Sequence, residues 1–395
     1  LDYKVVDSPR DYWLVYKVIH KETKALNEQK FEFIISAVNG WMVLDEDGAG
    51  NGDVQIIRDK DIVNGGDGRI VKNYFSLNNQ GNKIQNGRFI ALCDFQSNLY
   101  IYSDEGAYIL NASTYVERTN VSYVDLFSSV VTLDAINPQA ESYDTKGGNT
   151  EVLVNNHKIY TVSYRMMGQT QFTEAKGVGD YKAAPAIAPI RVTGNDNCAV
   201  LFDLQNNRFL TIGTWGALTA PVSAGGAFNT GAINSEWEYV YMNEGKDGET
   251  CLVMKDELGT PYLLRANFVS NNPVAVACVD LSSLAEVKKA TYYAFGTRGD
   301  FMFYATDSKV YTWRYGKETA TDFLSVGSGE KIVNMKLYIN PKDNSMNGKL
   351  LFVATQKGNE GKVYKILFNE MNGMPITIPQ EYSGLGIIKD MYYKS

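Results

Sequence analysis

Short apolar β-strands recur along this chain at a nearly constant interval, and this repeat limits the possible fold more than any other feature. Each copy is followed by a turn and a second strand that forms a hairpin with it, as 99–102 does with 107–110. The separations between equivalent positions are 58, 52, 48, 52, 50 and 49 residues. Those positions are Val43, Ile101, Leu153, Leu201, Val253, Phe303 and Phe352. A period of about fifty residues built from all-β units predicts an all-β, seven-bladed β-propeller.

The two ends of the repeat predict how the ring closes. After the seventh hairpin, an outer strand at 375–382 and the apolar run 386–393 remain, and no hairpin follows them. The first hairpin, which begins at 41–44, has no inner strand of its own before it. We therefore expect 386–393 to pair with 41–44 and to complete the first blade, because closure removes the exposed edges of an open sheet.

Residues 1–39 lie outside the repeat. The runs 12–19 and 31–36 are typical of two strands of a β-hairpin joined by a polar segment. Two strands alone are marginally stable in water, so we expect them to pair with further strands or to lie against the propeller. The sequence thus predicts a short N-terminal unit at 1–39 and a propeller at 40–395.

Charge and cysteine content argue against several classes of protein. The 38 basic residues are scattered and are outnumbered by 45 acidic ones, so we do not expect a nucleic-acid partner. No apolar run reaches the roughly 18 residues of a membrane span. The cysteines lack C-x-x-C spacing, which argues against a zinc site, and we expect all four to be buried free thiols. They are Cys93, Cys198, Cys251 and Cys278.

The turn of the first hairpin carries the residues best suited to bind a metal. Oxygen-bearing side chains alternate there among glycines that permit a tight wrap, which is a pattern that supplies hard ligands to Ca²⁺. These side chains are Asp45, Asp47, Asn51 and Asp53. The turn departs from an EF-hand loop, because Ile56 occupies the position of the bidentate glutamate and no helices flank it. A solvated hairpin turn is the alternative interpretation, and no other cofactor is expected.

Ligand-binding residues are expected at the mouth of the ring, where the inner strands begin. Aromatic side chains with nearby polar groups suit stacking on sugar rings or packing against peptide side chains. The candidates are Arg88, Tyr143, Tyr181, Trp237 and Tyr292. The alternative is that each of them packs between neighbouring blades.

No catalytic residue is assigned. The only two histidines are His20, in the N-terminal hairpin, and His157, at a turn, which disfavours a histidine-based triad. Carboxylate pairs for glycoside hydrolysis stay open, because the fold brings distant acidic residues together, but no pair stands out in the sequence.

The segment 12–57 resembles a known family. It contains Phe-x-Phe-Ile-Ile-Ser at 31–36, Gly-Trp-Met-Val-Leu-x-Glu at 40–46 and Asp-Val-Gln-Ile-Ile at 53–57. In these features the chain resembles the PKD-like family of surface lipoproteins from Bacteroidetes. The resemblance implies that residues 1–39 are the last strands of an Ig-like PKD region and that a propeller-like body follows. It also implies an outer-membrane, cell-surface location through a lipidated cysteine upstream, with a SusC/SusD-type uptake complex as partner.

Taken together, these patterns favour a non-enzymatic binding protein. Its expected role is to capture a glycan or an oligopeptide at the cell surface for a TonB-dependent importer of the SusC/SusD type. The rival hypothesis is a propeller glycoside hydrolase or polysaccharide lyase that uses carboxylates at the central mouth. A third hypothesis is a scaffold with no small ligand.

Overall fold

The chain folds into seven sheets arranged as the blades of a β-propeller, as the repeat predicts. A computed structural model describes residues 10–35, 38–144, 146, 149–223, 225–340, 342–343 and 345–394. The innermost strands of successive blades contact one another around the complete circle, and the seventh blade contacts the first. The fold class is therefore confirmed.

Each blade is an antiparallel sheet, and its strands follow one another in chain order from the axis outward, except that the innermost strand of blade 1 is the last of the chain. Blade 1 contains Ile387–Lys394, Gly40–Glu46, Asn51–Ile57 and Ile70–Val71. The short strand Ile84–Gln85 also pairs with Asn51–Ile57. Blade 2 contains Gly87–Cys93, Asn98–Ser103 and Gly106–Asn111. Blade 3 contains Pro138–Tyr143, Thr150–Asn155, Lys158–Ser163 and Thr173–Glu174, and blade 4 contains Ala188–Pro189, Asn197–Asp203, Arg208–Gly213 and Leu218–Thr219.

The last three blades each have four strands. Blade 5 contains Glu238–Glu244, Glu249–Lys255, Pro261–Asn267 and Val274–Asp280. Blade 6 contains Tyr292–Phe295, Phe301–Ala305, Lys309–Arg314 and Thr321–Ser325. Blade 7 contains Lys331–Leu337, Leu350–Lys357, Glu360–Leu367 and Gln380–Leu385.

The ring closes by pairing its two ends. The last strand, Ile387–Lys394, is antiparallel to Gly40–Glu46, with Tyr393 opposite Trp41 and Met391 opposite Val43. The pairing predicted between 386–393 and 41–44 is thus confirmed. It also places the C-terminal strand on the axis, where it is the innermost strand of blade 1.

The core is divided among the interfaces between blades. The second strand of a blade is buried on both faces, which explains why these strands appear as continuous apolar runs rather than alternating ones. Within the described residues, each pair of neighbouring blades encloses one hydrophobic cluster. At the closing interface, the ring of Trp41 stacks on that of Phe352 with centroids 3.8 Å apart.

Among the described residues, little regular secondary structure lies outside the blades. Arg10–Ile19 and Leu26–Ile35 form the predicted antiparallel hairpin as a two-stranded sheet, while residue 36 of the predicted strand lies outside the described residues. Helical structure in the described chain is limited to the α-helix Tyr74–Asn78 and the 3₁₀ turns Tyr123–Leu126, Lys246–Gly248 and Val287–Lys289. Among the described residues, no helix has the length and apolarity needed to cross a membrane.

The cysteines are free thiols, but one expectation about them is wrong. Cys93, Cys198 and Cys251 are buried, whereas Cys278 is exposed. Cys278 lies on the outermost strand of blade 5, Val274–Asp280, where every second residue faces solvent. The strand Pro261–Asn267 separates it from Cys251, as the blade pattern predicts.

Candidate functional site

A cavity of about 510 Å³ lies where the innermost strands of all seven blades meet. Its lining comes from the middle and the C-terminal ends of these strands and from the residues just after them. In blade 5, for example, the lining residues are Tyr241, Asn243 and Glu244, at the end of Glu238–Glu244. Because every blade repeats the same meander, these strand ends lie on one face of the ring, which we call the C-terminal face.

The wall of the cavity combines aromatic rings with charged groups. Its aromatic residues are Trp41, Phe89, Tyr143, Tyr241, Phe295, Tyr392 and Tyr393. Its charged residues are Asp94, Glu141, Lys146, Arg191, Glu244, Lys336, Lys342 and Asp390. Apolar rings beside a small number of oriented polar groups are typical of a site for a small organic ligand.

Ion pairs between blades hold several of these charges in place. Arg191, which follows the inner strand of blade 4, pairs with Glu244 of blade 5, and burial lowers the pKa of Arg191. Lys336 of blade 7 lies 2.5 Å from Oδ1 of Asp390 in blade 1. The other oxygen of Asp390 accepts a hydrogen bond from the backbone N–H of Ile90 in blade 2, at 3.0 Å. Contacts within the protein therefore hold these four charges in place.

A pair of carboxyls in blade 3 is the most unusual chemical feature of this wall. Glu141 lines the cavity, and Glu151, on the adjacent strand, is completely buried. Tyr102 donates a hydrogen bond to Oε2 of Glu141, and Tyr164 donates one to Oε2 of Glu151 at 2.5 Å. In both carboxyls Oε1 is buried and finds no hydrogen-bond partner within the described residues. A proton shared between the two carboxyls would satisfy both atoms.

The environment of this pair favours the protonated form. Burial raises the pKa of Glu141 well above its usual range, and the neighbouring charge of Glu151 raises it further. Burial also raises the pKa of Glu151. Two carboxylates in one buried site cannot easily both ionise, so we expect the pair to hold one proton at neutral pH.

We expect Glu151→Gln to flatten the dependence of stability on pH. Both folded-state pKa values lie above the usual 4.5, so the contribution of the pair to stability is complete below that pH. As the pH rises through the raised pKa values, the wild type loses about 1.4 kcal/mol per pH unit for each proton involved. The glutamine amide can donate to Glu141 without titrating. Urea unfolding at a series of pH values from about 4.5 upward measures the difference.

A matched control for this prediction is Glu105→Gln, which makes the same change at an exposed hairpin turn. The control should follow the wild-type profile. Parallel profiles for the wild type and Glu151→Gln would show that the pair does not share a proton.

Of the residues predicted to bind ligand, Tyr143 lines the cavity, and its hydroxyl donates to Oδ1 of Asn149 at 3.2 Å. It stands at the end of its inner strand, not at the beginning. Tyr181 lies in the connection between blades 3 and 4, where its hydroxyl accepts a hydrogen bond from the backbone N–H of Ile159 at 3.1 Å. Tyr181 is not part of the cavity wall.

The other three predicted residues stand at the starts of inner strands, away from the lined ends. Arg88 donates to Oδ1 of Asn137 at 2.8 Å, and Tyr292 begins the inner strand of blade 6. The ring of Trp237 stacks on that of Tyr262 with centroids 4.3 Å apart, which is a contact within blade 5. The structure therefore does not bring these residues together with Tyr143.

The side-chain oxygens of the residues predicted to bind calcium form hydrogen bonds with other groups of the protein. Asp45 accepts hydrogen bonds from Gln55 at 2.8 Å and from the backbone N–H of Gly386 at 2.6 Å. Asp47 binds the amide of Asn51 at 3.0 Å, and these bonds lower the pKa of Asp47.

The fourth predicted ligand, Asp53, is also occupied by protein groups. It pairs with Lys83 at 2.7 Å and accepts hydrogen bonds from the backbone N–H groups of Phe75 and Ser76. No three His, Cys, Asp or Glu side chains converge on a metal position anywhere in the described chain. Calcium binding at this turn stays a prediction, and an ion there would have to displace these hydrogen bonds.

The sequence did not single out the charged groups of the cavity wall. Glu141, Lys336 and Asp390 each lie inside an inner strand, at positions where a packed blade would otherwise take apolar or neutral residues. That signal was present in the sequence, because a charge within a buried strand needs a partner or a solvated cavity. The partners, however, come from different blades, so no local pattern identifies them.

Comparison with solved structures finds propellers of low sequence identity. A quinonprotein alcohol dehydrogenase-like protein from Bacteroides thetaiotaomicron aligns over 98% of this chain and 86% of its own, with 10% identity and a TM-score of 0.50. A protein from Lactobacillus plantarum aligns over 91% of this chain and 100% of its own, with 11% identity and a TM-score of 0.54. The WD40 domain of Toxoplasma gondii coronin aligns over 94% and 91%, with 10% identity and a TM-score of 0.50.

These likenesses concern the fold alone, since identities this low carry no function with them. No protein-family model matches the chain, and no curated protein matches it. The class defined by the fold and the site is a seven-bladed β-propeller with a central cavity that opens on its C-terminal face.

Proposed function

We propose that this protein captures a polar organic ligand, a glycan or an oligopeptide, in the central cavity and releases it unchanged. The observation that carries the proposal is the cavity of about 510 Å³ with its aromatic walls and its charges held by ion pairs. Its volume lies within the range of about 300–1,000 Å³ for small-molecule sites. Aromatic faces next to fixed hydrogen-bonding groups suit sugars and peptide ends.

We also propose a setting for this capture. The resemblance of 12–57 to PKD-like surface lipoproteins supports a lipid-anchored position on the outer membrane, next to a SusC/SusD-type importer that receives the ligand. The net charge of −7 supports a partner other than nucleic acid.

A second candidate function is glycoside hydrolysis or polysaccharide cleavage at the same cavity. The specific observation in its favour is Glu141, a carboxyl on the cavity wall whose pKa burial raises, because a general acid must stay protonated at the working pH. Hydrolysis would require a second carboxylate across the bound sugar. The carboxylate of Asp390 is already paired with Lys336.

The test of capture is to fill the cavity with a larger side chain. Ser142 lines the cavity within the inner strand of blade 3, so Ser142→Trp should place an indole ring where the ligand lies. We expect the wild type to bind members of a panel of oligosaccharides and peptides in calorimetry, and Ser142→Trp to lose at least about tenfold in affinity. Ser325→Trp, at an exposed position on the outer strand of blade 6, should bind as the wild type does.

Incubation with the same panel distinguishes the two candidate functions. Retention of an intact ligand, with loss in Ser142→Trp, supports capture. Release of shortened products by the wild type and not by Glu141→Gln supports hydrolysis or cleavage instead. Equal affinities for the wild type and Ser142→Trp would contradict any ligand role for the cavity.

A further inference from the structure

An exposed aromatic surface on the C-terminal face extends outward from the cavity across blades 2, 3 and 4. We infer that it is a binding site for a glycan chain, which it holds by stacking while one end of the chain occupies the cavity. We call this surface the aromatic platform, and it consists of Phe95, Tyr143, Tyr164, Arg165 and Trp215. The inference rests on the proposed capture function and narrows the ligand from a glycan or peptide to a glycan.

The platform residues come from turns that share one face of the ring. Phe95 follows the inner strand of blade 2, and Tyr143 ends that of blade 3. Tyr164 and Arg165 follow the third strand of blade 3, and Trp215 follows the third strand of blade 4. In a meander, the first and third strands end on the same side, so all five residues lie on the face where the cavity opens.

The platform residues form two contacting groups, which are joined in the chain by the neighbouring residues Tyr164 and Arg165. Phe95 stacks on Tyr164 with centroids 4.5 Å apart and an interplanar angle of 19°. Tyr164 lies 6.4 Å from Tyr143, which itself lines the cavity. Beyond Tyr164, the guanidinium of Arg165 sits 5.5 Å from the ring centroid of Trp215. The first group reaches the cavity wall through Tyr143, and the second lies on the neighbouring turns of blades 3 and 4.

Two of these rings, Phe95 and Trp215, are exposed although the protein has large apolar clusters in which to bury such side chains. Trp215 is 59% exposed and Phe95 is 54% exposed. Their loops are nevertheless held in place. Gln96 donates to the carbonyl of Thr170, and the hydroxyl of Thr161 donates to the carbonyl of Gly216 at 3.2 Å. Exposed rings on restrained loops point to a binding surface rather than to a segment that failed to pack.

The chemistry of this surface fits a glycan better than a peptide. A sugar ring has an apolar C–H face and a rim of hydroxyls, which match an aromatic face beside the guanidinium of Arg165. An extended peptide commonly binds by adding a strand to a sheet edge. The platform is instead made mainly of turn residues, whose side chains rather than backbone groups face the ligand.

A chain that spans the platform and the cavity should bind more tightly than a short fragment that fills only the cavity. The second contact is intramolecular once the first is made, so its effective concentration is high. We therefore expect Trp215→Ala and Phe95→Ala each to weaken binding of a soluble polysaccharide roughly threefold to tenfold. Binding of the matching disaccharide or trisaccharide should stay at the wild-type level.

The experiment uses affinity electrophoresis with a panel of soluble polysaccharides and calorimetry with their short fragments. Tyr16→Ala is the control, since Tyr16 is an exposed aromatic residue in the N-terminal hairpin. Loss of polysaccharide affinity in both platform variants, with unchanged fragment affinity, supports the platform. If both variants bind the polysaccharide as tightly as the wild type does while Ser142→Trp fails, the platform is overturned and cavity capture survives. Binding of peptides alone, or of no glycan, also overturns the inference.

Discussion

Truncation of the chain after Leu385 should abolish folding of the propeller. The missing strand, Ile387–Lys394, is the innermost strand of blade 1 and pairs with Gly40–Glu46 along its whole length. Its side chain Met391 is fully buried, and Asp390 joins blades 1, 2 and 7 through hydrogen bonds to Lys336 and to the backbone of Ile90. Removing it opens the ring and leaves Gly40–Glu46 as an exposed apolar edge, which favours aggregation.

The measurement is the yield of soluble protein and its near-ultraviolet circular dichroism. A circular permutant supplies the control, because Lys394 lies opposite Gly40 and a short turn can join the two. The permutant that starts at Gly386, runs to Lys394 and continues through such a turn into Gly40 should fold, with Leu385 as its last residue. A soluble, cooperatively folded truncation would show that blade 1 does not need its closing strand.

The sequence was sufficient to predict the blades because the second and third strands of each blade are local and buried on both sides. Their continuous apolar runs and short turns identify them without any knowledge of distant contacts. The outermost strands were harder to place. The last outer strand is Gln380–Leu385 rather than the predicted 375–382, and only two of its six residues are buried. A strand with so few buried residues has a weak hydrophobic pattern, so its bounds are hard to predict from the sequence.

The residues of the cavity wall could not be predicted from the sequence in the same way. Its wall takes a few residues from each of seven strands that are about fifty residues apart, and nothing in one repeat indicates which end of the strand faces open space. The sequence analysis expects ligand-binding residues at the starts of the inner strands, whereas the cavity wall lies at the middles and ends of these strands. Tyr143 lines the cavity because it is the last residue of its inner strand. Arg88, Trp237 and Tyr292 stand at the other end.

A buried charge cluster reinforces the same closing interface from the outer side of the blades. Nζ of Lys365, on the third strand of blade 7, lies 2.5 Å from Asp59 and 2.6 Å from Asp61, which follow the third strand of blade 1. The side chain of Lys365 is 6% exposed and that of Asp59 is fully buried. Tyr382, on the outer strand of blade 7, also donates a hydrogen bond to Asp59. The cluster therefore joins the last blade to the first.

We expect Lys365→Met to lower the free energy of unfolding by about 3–5 kcal/mol, because it leaves the carboxylate of Asp59 buried without its cation. The double variant Lys365→Met, Asp59→Asn removes that uncompensated charge and should recover part of the loss. Lys331→Met makes the same change in a pair that is exposed on both sides, and it should unfold as the wild type does. Urea unfolding of the four proteins measures these differences. Equal losses in Lys365→Met and in Lys331→Met would mean that the cluster contributes no more than a surface ion pair, and strand pairing alone would then close the ring.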